Sequence, residues 1–485
     1  MTDGASNEAL WTGLGLVAPL AARVSGGMPK RGATGISIDT RSLREDELFF
    51  AIKGENSDGH DHVAAAFDKG ALAAVVDEAH ADALAGQGSL FVVRDVLRAL
   101  EGLGVAARDR TAARIIAVTG SVGKTSTKEA LRVALAPGGA VHASVASYNN
   151  HFGVPLTLAR MPKQSRFGVF EIGMNHKGEI APLVAMVRPH VAIVTTIAPV
   201  HLENFANLDE IADAKAEIFS GLAPGGVVIL HRDIAQYDRL LAQAEASAAG
   251  YVASFGEHEK ADARLVNVAL AADHSVIEAE ICGRALTYRL GAPGRHLALN
   301  SLAVLLAAKA VGVDLDAAAA ALASFAAGAG RGQQLTLEAK GGAFTLIDES
   351  YNANPASMRA AFALAGALPA SETGRRIAIL GDMLELGREE ASMHAGLARD
   401  IEANHIDLVY AAGPLMKHLF LALPGQFQGA WRESASELLP IACAAIRGGD
   451  VVVVKGSNGS QMSAIVAALK QGPFTPGAAQ AGREN

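Results

Sequence analysis

A short apolar run, Ile115-Ile116-Ala117-Val118, leads into Thr119-Gly120-Ser121-Val122-Gly123-Lys124-Thr125, and a helical pattern then starts at Ser126. This order of strand, glycine-rich turn and helix suits nucleotide phosphates. Between Gly120 and Gly123 the backbone N–H groups can turn inward around phosphate oxygens, with the helix N-terminus adding positive potential at Ser126. Lys124 then neutralises the outer phosphates, and the Thr125 hydroxyl can bind Mg²⁺. The usual pattern has a further glycine where this chain has Thr119, so the match is to the shorter form Thr-Gly-x-x-Gly-Lys-Thr. The plain alternative, a glycine turn with a surface lysine, does not account for the flanking strand and helix.

Three more residues could complete such a site. Glu171 ends the apolar run Gly168–Ile172, and His201 follows the run Val191–Ile197 and a proline turn. Ligands of open parallel sheets sit beyond the C-terminal strand ends, so Thr125, Glu171 and His201 are candidate ligands for Mg²⁺. A strand-end surface glutamate and a structural histidine are the bland alternatives. Lys215 lies midway between Ile211 and Phe219 on a helix that starts at Asn207, with Glu210 three residues on. Either the lysine snorkels to the helix edge, or it is a paired or modified lysine beside the nucleotide. The residues alone leave those two readings open.

The elements that must position these groups follow from the rest of the chain. Half of the residues are hydrophobic, 19% are charged and the net charge is -8, which argues against a general nucleic-acid binder or a polybasic membrane anchor. Cys282 and Cys443 give no disulfide framework, the N-terminus does not read as a signal peptide, and the alanine-rich run Ala317–Ala329 is too short to span a bilayer. The expectation is a cytoplasmic, monomeric enzyme without membrane insertion. Its fold class is α/β in three domains. A small N-terminal α/β domain covers 1–110, with strands near Ile36–Ile38, Leu48–Ile52, Ala73–Val76 and Leu90–Val93. A central P-loop ATPase-like parallel-sheet domain covers 111–327, with an antiparallel addition over Ala261–Leu290 and a core helix over Leu299–Val311. A C-terminal Rossmann-like domain covers 328–485 and begins at the glycine-rich hinge Gly328–Gly332. Its strands are expected near Phe344–Ile347, Ile377–Leu380, Leu408–Tyr410 and Val451–Val454, and its tail from about 472 is expected to be disordered.

Taken together, the ordered motifs resemble the Mur ligases, which form peptide bonds on UDP-N-acetylmuramoyl precursors. The resemblance runs from about Ile36 to Leu469. It is carried by Asp39-Thr40-Arg41-Ser42, the Thr119–Thr125 loop, Tyr148-Asn149-Asn150, Glu171-Ile172-Gly173, His201-Leu202-Glu203 and Ala214-Lys215. Further on it includes Pro293-Gly294-Arg295-His296 with Asn300, Gly330-Arg331-Gly332, the run Asp348–Pro355 and Lys455-Gly456-Ser457. It implies catalytic roles for Lys124, Lys215 and His201, with Glu171 and His201 resembling magnesium ligands and Lys215 matching a lysine that is carbamylated in several members. Asn300, Arg331 and Asp348 would position the nucleotide, and Asp39, Thr40 and Arg41 would receive the UDP-sugar. One departure is Leu297, where many relatives carry asparagine.

The runs Leu380–Gly387, Ser350–Pro355 and Phe49–Gly54 resemble the branch that adds D-alanyl-D-alanine, and an Asp-Asn-Pro-Arg stretch typical of the third-residue-adding branch is absent. The implied reaction consumes ATP, UDP-N-acetylmuramoyl-tripeptide and D-alanyl-D-alanine through an acyl phosphate. Asn149, Asn150, Asn352 and Asn354 are candidate substrate contacts, since amides both donate and accept. Helix capping is the alternative for Asn352 and Asn354. A sister ligase is the enzymatic rival. A GTP-reading switch protein would need an Asn-Lys-x-Asp stretch, and none occurs.

Overall fold

The computed structural model describes residues 9–54, 57–145, 147–200, 202–368, 370–371 and 373–472. His201 and the tail from 473 therefore lie outside the described residues. Three sheets organise the chain. The first holds β1 (Arg23–Ser25), β2 (Gly35–Ser37), β3 (Glu47–Phe50), β4 (Ala73–Asp77) and β5 (Leu90–Val93), in the order β1-β5-β4-β3-β2. All its pairings are parallel except β1 with β5. The helix Val96–Asp109, capped by the Asp95 carboxylate on the Arg98 N–H, presents Leu100 and Leu103 to the same core as Phe50 and Phe91.

The second sheet contains β6 (Arg114–Thr119), β7 (Val141–Ala143), β8 (Phe167–Glu171), β9 (Val191–Val194), β10 (Gly226–His231), β11 (Ala249–Gly256), β12 (Ala263–Leu270), β13 (Ser275–Ile281) and β14 (Arg284–Leu290). Its order is β14-β13-β12-β11-β10-β9-β6-β8-β7. β12, β13 and β14 pair antiparallel, as expected for Ala261–Leu290, and the strands from β7 to β12 run parallel. Strands β8 and β9 are buried throughout and β6 is buried after the exposed Arg114, which requires helices on both faces. One face carries the helix Lys124–Leu135 and the apolar helix Arg295–Ala310, and the other carries Ile180–Val187 and Leu208–Ala216.

The third sheet comprises β15 (Gln333–Ala339), β16 (Gly342–Glu349), β17 (Arg376–Gly381), β18 (Leu408–Ala412), β19 (Gln428–Arg432) and β20 (Val451–Lys455), ordered β15-β16-β20-β17-β18-β19. Only β15 is antiparallel, joined to β16 as a hairpin. Edge strands β1, β7, β15 and β19 were not read from the sequence. They are short or partly exposed, so no continuous apolar run marks them. Among the described residues no helix is long and apolar enough to cross a membrane.

Candidate functional site

The turn after β6 delivers its residues as the sequence suggested, with one shift. The helix begins at Lys124 rather than Ser126, because Gly123 takes the left-handed conformation (φ 87°) as its N-cap. That conformation favours glycine, and a Cβ there would also stand 2.6 Å from the Asn300 Nδ2 and force that amide to shift. Thr195 closes the turn from beyond β9, its hydroxyl donating to the Val122 carbonyl at 2.5 Å.

Beyond these strand ends lies a cavity of about 410 Å³. Ser121–Ser126, Ser147, Asn149, Glu171, Thr195, Thr196 and His231 line it from the central sheet, and His296 and Asn300 from the helix behind. Arg331, Glu349, Tyr351, Asn352, Asn354 and Lys455 line it from the hinge and the third sheet. Gly120 does not itself line the cavity, but its carbonyl accepts from the Lys124 ammonium at 2.6 Å.

The Thr125 hydroxyl donates to Glu171 Oε2 at 2.7 Å, and the Asn149 amide donates to Glu171 Oε1 at 2.7 Å. Glu171 is buried with acceptor oxygens beside a hydroxyl at the start of the helix Lys124–Leu135, a donor set that suits a hard divalent cation. Burial pushes the Lys124 ammonium below its ordinary range, Glu171 opposes that shift and Arg331 adds to it. Arg331 donates to the Ser147 hydroxyl at 2.8 Å and stacks over Tyr351 at 3.8 Å. A side chain from the hinge thus grips the loop that follows β7.

Lys215 is only 2% exposed, so its ammonium does not snorkel to water. The helix Leu208–Ala216 that carries it is capped as expected, the Asn207 side chain accepting from the Glu210 N–H at 3.0 Å. Burial, reinforced by the charge of Lys124, holds its pKa well below the ordinary lysine value. Its residue is not among those lining the cavity.

Several expected site residues fall elsewhere. Asp348 is buried away from the cavity, accepting from the Ser350 hydroxyl at 2.6 Å and pairing with Lys470 at 3.4 Å. Its neighbour Glu349 is the carboxylate that faces the cavity, paired with buried Lys455 at 3.1 Å. Successive residues of a strand point to opposite faces, so one step along β16 exchanges the two. Asn150 is exposed and accepts from the Phe152 and Gly153 N–H groups, outside the cavity lining. Asn354 touches the cavity, but its side-chain oxygen accepts from the Ser357 N–H in a capping box that starts the helix Pro355–Ala367. Asn352 is exposed at the same rim, with its side-chain oxygen on the Ala353 N–H.

Asp39, Thr40 and Arg41 follow β2 in the first sheet. Arg41 folds back on Asp39 at 2.7 Å, and that guanidinium holds the Asp39 carboxyl below its usual range. The Thr40 carbonyl accepts from Lys69. Leu297, the departure noted above, is buried in the apolar core of the helix Arg295–Ala310. His231, His296, Glu349 and Lys455 were not singled out as site residues. The strand-end position of His231, Glu349 and Lys455 is the signal that could have found them.

Residues 33–111 match the Mur ligase family catalytic domain, 118–308 the Mur ligase middle domain, and 330–458 the Mur ligase glutamate ligase domain. The chain is 33% identical to the UDP-N-acetylmuramoyl-tripeptide--D-alanyl-D-alanine ligase of Escherichia coli, covering 90% of this chain and 93% of that one. It is 30% identical to the ligase of that name from Rickettsia prowazekii, over 89% and 94% of the two chains. Among solved structures, MurF from Acinetobacter baumannii superposes with a TM-score of 0.82 at 28% identity, covering 95% of this chain and 99% of that one. With three matching regions in one chain and relatives at least 30% identical over most of its length, this protein belongs to the Mur ligase family.

Proposed function

We propose that the enzyme joins D-alanyl-D-alanine to UDP-N-acetylmuramoyl-tripeptide, with ATP converted to ADP and phosphate, in the cytoplasm. The observation that carries this reading is the shared cavity, where the phosphate turn and the Thr125–Glu171 pair face Arg331, Asn352 and Lys455 across one space. The relatives that match most of the chain are named for the same reaction.

A carboxylate does not react with an amine at neutral pH, because its oxygen is a poor leaving group. Attack of the tripeptide carboxylate on the terminal phosphorus of ATP releases ADP and leaves an acyl phosphate. The dipeptide amine, once deprotonated, attacks the acyl carbon, and phosphate departs with the former carboxylate oxygen. Lys124 and the N–H groups of residues 121–125 offset charge on the transferring phosphoryl group, where preorganised donors act most strongly. Thr125 and Glu171 would hold Mg²⁺, which supplies charge neutralisation at the phosphates. His201 stays a candidate third ligand on sequence grounds.

Lys215 fits a carbamate. A buried lysine with no hydrogen bond or ion pair among the described residues is costly as a cation, by several kcal/mol. Its lowered pKa favours the neutral amine, the form that reacts with CO₂. The resulting anion would sit near the charge of Lys124. Asn352, at the rim, is the better placed of the two asparagines for the acceptor. Asp39, Thr40 and Arg41 on the first sheet are proposed to receive the UDP-sugar.

The deciding experiment measures phosphate release from ATP with the UDP-tripeptide against a panel of free amino acids and dipeptides. Release driven by D-alanyl-D-alanine supports the assignment. Release driven instead by free diaminopimelate or lysine would make the chain a sister ligase.

A further inference from the structure

We infer that His231 is a nucleoside-reading residue, a polar contact for the ribose or purine of ATP that determines nucleotide preference. The inference rests on the nucleotide-binding reading of the cavity and adds a residue to it. His231 is the last residue of β10 and one of the residues lining the cavity. Among the described residues, both ring nitrogens are buried without a hydrogen-bond partner. The ring is held flat against Phe255, with centroids 4.7 Å apart and planes 8° from parallel. Two groups face the ring without meeting hydrogen-bond geometry, the Thr195 backbone and the Asp233 carboxylate, which stands 3.5 Å from Nε2 and already accepts the Glu257 and His258 N–H groups.

Position in the sheet decides which part of the ligand this side chain meets. The central order β10-β9-β6-β8 puts the phosphate turn after β6 between two flanks. The β8 flank carries Glu171 and its bond to Thr125, which marks the phosphoryl end. On the other flank Leu230 pairs in register with Val194, so His231 sits level with Thr195, which closes the turn. His296 and Asn300, one turn apart on the helix behind, line the same space. With the phosphoryl end on the β8 side, the nucleoside extends toward β9 and β10, across strand ends where such folds bind ligands.

Burial pushes the His231 imidazole below its ordinary pKa, so near neutral pH it is uncharged, with one donor and one acceptor. A buried polar pair without partners carries a cost that a ligand supplying the complementary edge removes. Such a site rejects a ligand lacking that edge more sharply than an apolar wall does.

The test uses the full-length enzyme with His231→Phe, which keeps the ring stack and removes both nitrogens, and His231→Gln, which keeps a donor and an acceptor. Steady-state kinetics are read with ATP, 2′-deoxyATP and ITP, together with equilibrium binding of ADP. The Phe variant is expected to raise the KM for ATP roughly 10-fold, with kcat and the KM for the UDP-tripeptide nearly unchanged. It should also lose the preference of the parent enzyme for ATP over one analogue. Loss against ITP assigns the contact to the purine, and loss against 2′-deoxyATP assigns it to the ribose. The Gln variant should recover part of the affinity, and if the Phe variant does not fold, the Gln variant is read alone against the same analogues for an altered preference. An unchanged KM for ATP with unchanged nucleotide preference overturns the inference. If the parent enzyme binds no ADP, or Lys124→Ala binds it equally well, the nucleotide-binding reading itself fails, an outcome separate from the fate of His231.

Discussion

Lys124 and Lys215 share one physical problem, a cation out of water, and solve it differently. Lys124 has the Gly120 carbonyl and the field of Glu171, whereas Lys215 has neither. Lys124→Ala should reduce turnover at least about 100-fold with an unchanged unfolding curve, because the lost charge serves the phosphates and not the core. Near-normal turnover would remove the turn from the mechanism. Lys215→Ala should cripple activity, with short carboxylic acids partly restoring it and bicarbonate changing nothing. Full activity without additives would leave the lysine without a role. Histidines respond to pH instead. Burial lowers His142 and His190 from about 6.5 to about 4, with Arg114 and Arg108 adding to the effect at His190. Between those values the unfolded chain binds more protons than the folded one, so stability falls as pH falls from about 6.5 toward 4. For His142, whose Nε2 donates to the Thr157 carbonyl at 2.7 Å, the loss is on the order of 3 kcal/mol. Thermal unfolding across that pH range should show a shallower slope for His142→Gln.

Helix starts carry much of the element-scale stability near the site. Asn354→Ala should cost about 1 kcal/mol through the lost cap, visible in urea unfolding, whereas Asn352→Ala should leave stability within about 0.5 kcal/mol and act on the KM for the acceptor. Equal stability losses in both variants would contradict the capping geometry. The two asparagines also mark the divide between what a sequence displays and what only the fold decides. Buried central strands such as Ile115–Val118 and Val451–Val454 announce themselves as unbroken apolar runs, and the Asn207 cap announces its helix. The glycine turn between β6 and its helix was legible for the same reason, since its glycines, lysine and threonine lie close together in the sequence. What was illegible depended on orientation. Asp348 and Glu349 are chemically alike neighbours, and only the pleat of β16 decides which one meets the cavity. The tether of Lys128 was equally hidden. Its ammonium, one turn after Lys124, donates to the Ser144 carbonyl at 2.7 Å and holds the loop bearing Ser147 and Asn149.

At the scale of the whole molecule, the cavity exists only where the second and third sheets meet. Arg331 is the clearest bridge, reaching from the hinge to Ser147 while Tyr351 covers its guanidinium. Arg331→Ala should raise the KM for ATP and increase the radius of gyration seen by solution scattering with ADP bound. A variant as compact as the parent would assign the bridge to local packing alone. The separation of the wall residues along the chain, from Ser121 to Lys455, also governs how the enzyme comes into being. Each sheet has its own apolar core and can collapse early, but closing a loop of more than three hundred residues is a late event. In refolding experiments helical signal should therefore return first, and ADP binding should lag behind it as a slower phase. During synthesis the same order means that the phosphate turn emerges long before Glu349 and Lys455, so a ribosome-bound chain carries half a cavity until its last strand is made.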